Sequence, residues 1–145
     1  MSSTRELIIR DIVDTLKNQQ SVRLGTVSRD PGLEIQDLAK TAFPAVIVES
    51  GSEIRESITQ MGAGQQRQAT MSVNMSVWIG SNAQADSQRN DLIEKIEELL
   101  EVDTTRGGVA IDTQLVEIET GTDTAPYASM RLIIQVQYIY TKGNP

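Results

Sequence analysis

The residues from Ala69 to Gly80, ATMSVNMSVWIG, alternate between apolar and polar almost without a fault. Ala69, Met71, Val73, Met75, Val77 and Ile79 fall on one side; Thr70, Ser72, Asn74, Ser76 and Trp78 fall on the other. Successive side chains of a strand point to opposite faces, so the spacing predicts a half-buried strand. A second long strand is predicted over Tyr127 to Tyr140. There Met130, Leu132, Ile134, Val136, Tyr138 and Tyr140 share one face, and Arg131, Gln135 and Gln137 share the other with Ile133 and Ile139. Ala45 to Val48 is continuously apolar and rich in β-branched residues, which predicts a strand covered on both sides, with Pro44 at its entry. Leu115, Val116 and Ile118 predict a short strand, with Glu117 and Glu119 on its wet side.

Two segments repeat at helical spacing instead. Ile8, Ile9, Ile12, Val13 and Leu16 form one stripe after Ser3 and Glu6, a capping-box pair, and predict a helix over Thr4 to Asn18. Leu92, Ile93, Ile96, Leu99 and Leu100 do the same for a helix over Ala85 to Glu101, whose other positions are mostly acidic. Between the predicted elements the pattern loosens. Gln19 to Thr41 holds a turn at Arg29 to Gly32, a loose alternation of Val22, Leu24 and Val27, and one possible helical turn from Glu34. Gly51 to Gln68 reads either as a second short strand with a flexible tip or as a long mobile loop. The order is helix, strands, helix, strands, in one domain over residues 1–145. The economical packing is an α+β fold, an antiparallel or mixed sheet with both helices on one face.

Composition removes whole classes of chemistry. The chain has no cysteine and no histidine. Disulfides, thiolate catalysis, Ser-His-Asp arrangements and His- or Cys-ligated metal sites are therefore excluded. No cofactor motif stands in their place. The two glycines of MGAGQQR lack a third and a preceding Rossmann strand, and RGG at Arg106 to Gly108 lacks the Lys-Ser/Thr of a phosphate loop and suits a helix end. Glu117 and Glu119 could hold a hard cation or transfer protons, but acidic alternation is also what a wet strand face requires. No catalytic, cofactor or metal residue is assigned.

Charge points the same way. With 13 basic and 20 acidic residues the net charge is −7, the basic side chains are scattered, and only five aromatics exist. Specific nucleic-acid binding needs a basic footprint and base contacts, and this field repels DNA. No run of 18 apolar residues exists, so no membrane span is expected, and the opening residues lack a signal pattern, so a cytoplasmic start is expected.

With the helices on one side, the other face of the sheet carries Ser72, Asn74, Ser76, Gln135 and Gln137 beside Trp78, Ile133 and Ile139. That face is nearly uncharged yet bulky, which suits a subunit or partner contact better than plain solvation. Ile54, Ile58 and Met61 are apolar groups in the otherwise polar Gly51–Gln68 stretch. Gly62 and Gly64 would let its tip change shape on docking. Arg55 and Arg67 are candidates for pairing across subunits.

The run FPAVIVESGSEIRES, the alternating strand ending MSVWIG, the acidic helix and the closing YASMRLIIQVQYIYTKG resemble the tail terminator proteins of long-tailed bacteriophages over about Phe43 to Gly143. The resemblance implies a structural virion protein and no enzyme. Members form a ring, expected to be hexameric, on the head-proximal end of the tail tube. The ring stops tube polymerisation and offers a docking surface to a head-side neck protein, and DNA passes through its hole without specific binding. The partners implied are further copies of the chain, the tube protein and the neck protein, in the virion. Another neck component, such as a head–tail connector or tail-completion protein, is the alternative, followed by a monomeric ligand-binding domain and then a carboxylate enzyme.

Overall fold

The computed structural model describes residues 3–19, 24–30, 32–35, 38, 42–58, 65–80, 84–124 and 127–141. Helix α1 spans Thr4–Asn18, as its apolar stripe predicts, and buries Ile8, Ile9, Ile12, Val13 and Leu16. Ser3 caps it by accepting a hydrogen bond from the Glu6 amide. The Glu6 carboxylate accepts from Arg10 and, through two bonds, from Arg29 in the turn after the first strand. Helix α2 spans Ala85–Glu101 and buries Ala85, Arg89, Leu92, Ile96 and Leu100.

Five strands form one mixed sheet in the order β1-β2-β3-β5-β4. They are β1 (Thr26–Ser28), β2 (Ala45–Ser57), β3 (Gln66–Gly80), β4 (Asp112–Thr124) and β5 (Tyr127–Thr141). β1 lies parallel to β2, and the other pairs are antiparallel. The predicted alternation holds on both long strands: Ala69, Met71, Val73, Met75, Val77 and Ile79 are buried on β3, and Ala128 and every even position from Met130 to Tyr140 on β5. These residues form a single cluster with Val46 and Val48 and with the apolar stripes of α1 and α2. The opposite, outer face of the sheet holds the odd positions of β5 and the even positions of β3.

Two expectations need correction. Gly51 to Gln68 is mostly strand: β2 runs on to Ser57 and β3 starts at Gln66, with the Ile58 amide donating to the Gln66 carbonyl at 3.1 Å. Extended pairing supplies these polar residues with backbone partners that a long loop would lack. The strand around Leu115 is also longer than expected, and it is not half-buried: Val116 and Ile118 are half-exposed along with Glu117 and Glu119. β4 is an edge strand, and a bulge between Leu115 and Glu117 leaves Val116 without a register partner. The possible helical turn from Glu34 and residue Val22 lie wholly or partly outside the described residues.

A second bulge has larger consequences. Ser50 pairs with Val73 and Glu53 with Met71, so β2 spends two residues, Gly51 and Ser52, where β3 spends one, Ser72. Before the bulge the even positions Val46 and Val48 face the core; after it the odd positions Glu53 and Arg55 do. Gly51 permits this. A Cβ there would stand 2.9 Å from the Ser72 carbonyl oxygen, closer than real side chains approach. Arg5 from α1 donates to the Gly51 carbonyl at 2.9 Å, providing for a backbone group that the bulge takes out of the ladder.

Candidate functional site

The shifted phase of β2 sends Ile54 and Ile58 outward. By register, Ile54 stands beside Thr70, and Gln68 stands between Glu56 and Ile139. Ile54, Ile58 and Ile139 therefore share the outer face at one end of the sheet, and they are 67%, 45% and 42% exposed. Single exposed aliphatics are ordinary, but three on one side of one end mark a contact surface. Met61, Gly62 and Gly64 lie outside the described residues.

Trp78 and Ile133 lie elsewhere on that face. Trp78 pairs with Ala45 and Ser129, and Ile133 pairs with Asn74 and Glu117. From Ser129 to Ile139 is ten residues along β5, or about 33 Å at the usual strand rise. The structure thus does not bring Trp78, Ile133 and Ile139 together. At the Trp78 end, Ala45 and Ile47 are buried although they point away from the helices' core, so the chain itself covers part of the outer face there. The middle of the face keeps its expected character. Thr70, Ser72, Asn74, Ser76, Gln135 and Gln137 are all half-buried and uncharged.

On the core side of the Ile54 end, beyond the apolar cluster, sits a polar cluster that periodicity does not reveal. The Glu53 side chain is 7% exposed and accepts from Arg5 (3.0 Å), from the Tyr138 hydroxyl (2.8 Å) and from Arg55. Arg55 also lies over the Tyr140 ring, 4.7 Å from its centroid. Burial alone would raise the Glu53 pKa, but the hydrogen bonds from Arg55, Tyr138 and Arg5 outweigh it and hold the carboxyl below its usual range. Burial, followed by the bond to Glu53, pushes the Tyr138 hydroxyl up to about 12. Arg55 is accordingly engaged within its own chain through its Nε and its contact with the Tyr140 ring. Arg67, opposite Tyr140, has its Nε buried without a hydrogen-bond partner, and so does the Tyr140 hydroxyl.

Sequence reasoning also missed two buried arginines. Arg106, 2% exposed and at φ 49°, turns its guanidinium onto the carbonyls of Leu100 and Asp103 at the end of α2, and it pairs with Asp11 of α1 at 3.2 Å. Gly107 and Gly108 follow with positive φ in the turn beyond α2, whose own C-cap is Val102, so RGG shapes the exit from the helix and does not cap it as expected. Burial pushes the Asp11 carboxyl up and the Arg106 guanidinium down despite their pairing, which marks a joint between helices rather than a source of net stability. Arg89 reaches the Ser129 carbonyl at 3.3 Å.

Glu117 and Glu119 point the same way on the outer face, opposite Ile133 and Arg131, and among the described residues no three acidic groups converge as metal ligands would. A cleft of about 360 Å³ between Phe43–Pro44 and α2 is lined by Ile79, Leu92 and Gln88, with Asp91 and Lys95 at its edge. It contains no buried titratable group. No helix among the described residues is long and apolar enough to cross a membrane. Compared with known proteins, the chain matches no protein-family model and no curated protein.

Proposed function

We propose that this chain is a structural virion protein that forms a ring, hexameric in our reading, on the head-proximal end of a phage tail tube. The ring stops tube growth and offers a platform to the head-side neck protein. The observation that carries this reading is the end of the sheet at Ile54, Ile58 and Ile139, where three large apolar groups stand exposed on one side of paired strands. Such a surface fits a protein contact on the order of 1,600 Å² per pair better than it fits a small ligand. The uncharged middle of the outer face extends that contact, and the order of elements agrees with the resemblance to tail terminators. A net charge of −7 keeps DNA from adhering as it passes.

Electron microscopy of particles assembled without this chain tests the reading. Overlong tails without heads are expected. Tails of normal length, or tails joined normally to heads, overturn it. Heads that fail to join tails of normal length would instead favour another neck component.

A further inference from the structure

We infer that the surface around Arg67 and Tyr140 receives carboxylates from α2 of a second copy of this chain. This names the seam of the ring and rests on the reading above. On the core side of the sheet's open end, the register places Arg55, Ala69 and Tyr138 in one row and Ser57, Arg67 and Tyr140 in the next. Three guanidinium groups, those of Arg5, Arg55 and Arg67, thus stand near a single carboxylate on this side of the sheet, Glu53, and the local charge is positive in an acidic chain. Arg5 and Arg55 bond to Glu53. Arg67 has no ion pair among the described residues, and its Nε and the neighbouring Tyr140 hydroxyl are both buried without partners.

Tyr140 is only 7% exposed, so water does little for its hydroxyl. An unsatisfied buried donor costs about 1–3 kcal/mol, and the isolated chain carries two side by side. A carboxylate accepts only, and it suits the outer nitrogens of Arg67, which pair with no acid among the described residues and stand beside excess positive charge. Arg67 is half-buried, so its guanidinium is reachable from outside.

The chain supplies a matching group. On α2, Asp91, Glu94, Glu98 and Glu101 are exposed and recur at steps of three and four, so they form one stripe. Among the described residues none of the four has an ion partner; Lys95, next to Glu94 and at helical spacing from Asp91 and Glu98, offsets only part of their mutual repulsion, so the stripe stays acidic. The Arg67 cluster is not within reach of that stripe inside one molecule. α2 begins beyond Gly80 and is about 25 Å long. Arg67 lies thirteen residues from Gly80 along β3, about 43 Å away. A contact between two different patches of identical chains is head-to-tail, the kind that closes into rings.

Charge swapping tests the seam. Three chains are compared by sedimentation velocity at low salt: the natural one, Arg67→Glu, and Glu94→Lys with Glu98→Lys. All three should keep the same circular-dichroism melting curve, and Arg67→Gln substitutes for Arg67→Glu should the latter unfold. The natural chain should self-associate, and each variant alone should associate about tenfold more weakly. The Arg67→Glu chain mixed with the doubly substituted one should regain association, because each then offers the other a complementary pair. Association of Arg67→Glu equal to that of the natural chain overturns the inference, and so does a mixture that stays dissociated. A natural chain that remains monomeric at about 1 mM also overturns it, since that concentration populates even millimolar contacts. The tail-length measurement is independent of all three outcomes and decides the ring reading by itself.

Discussion

Glu53 shows how much one side chain can organise when three donors converge on it. It joins α1 through Arg5, β5 through Tyr138 and its own strand through Arg55. Replacing it with Gln removes the charge and leaves buried donors short of acceptors, which should lower stability by about 2–4 kcal/mol in urea unfolding. Its pH dependence has a definite sign. The folded pKa is below the ordinary 4.5, so the contribution is fully present above that value and is lost as pH falls through the folded pKa. Natural protein should therefore lose urea stability below about pH 4.5 more steeply than Glu53→Gln does. Tyr138 acts at the other end of the scale. With its pKa raised from 10.0 to about 12, its contribution holds up to the lower value and fades across that interval.

At the level of elements, the bulge in β2 decides what the open end presents. With strict alternation from Val46 and Val48, Ile54 and Ile58 would tuck into the core side, and Glu53 and Arg55 would face outward. The extra residue reverses all four. Gly51→Ala probes this device: its Cβ would press on the Ser72 carbonyl oxygen and force the strands apart. Thermal melting should show a loss of about 1–3 kcal/mol, the usual cost of overpacking. An unchanged melting temperature would mean that the close approach is not needed. α1, α2, β3 and β5 were legible beforehand because each repeats one period over 14 residues or more and buries one face. β4 and the far half of β2 were not, since a bulge resets the period and an edge strand has little to bury.

For the whole molecule, the open end offers two surfaces of different chemistry. Isoleucines stand on its outer face, and an arginine–tyrosine cluster lies on its inner one. Replacing both Ile54 and Ile139 with Arg should leave the melting temperature of the monomer within a few degrees, because both side chains already stand exposed on the surface. The same change should abolish rings and tail capping, read by electron microscopy. Rings that persist would move the apolar seam elsewhere, with Trp78 and Ile133 the next places to substitute. The sequence candidates were thus only partly assembled into a site. Ile54, Ile58 and Ile139 converge, whereas Trp78 stands ten register positions from Ile139.

The sequence by itself determined the α+β class, the place of both helices, and the buried faces of the two long strands. Periodic burial is a local property, and a stripe or an alternation is written in adjacent residues. It determined too that thiol and imidazole chemistry are absent, because composition needs no folding. Only the tertiary structure decided which isoleucines reach the surface, that Arg55 bonds to Glu53 of its own strand, and that Arg67 and Tyr140 are left unsatisfied side by side. Those outcomes depend on register across strands distant in the chain. One extra residue in a strand moves every later side chain to the other face, and nothing in the local pattern announces it.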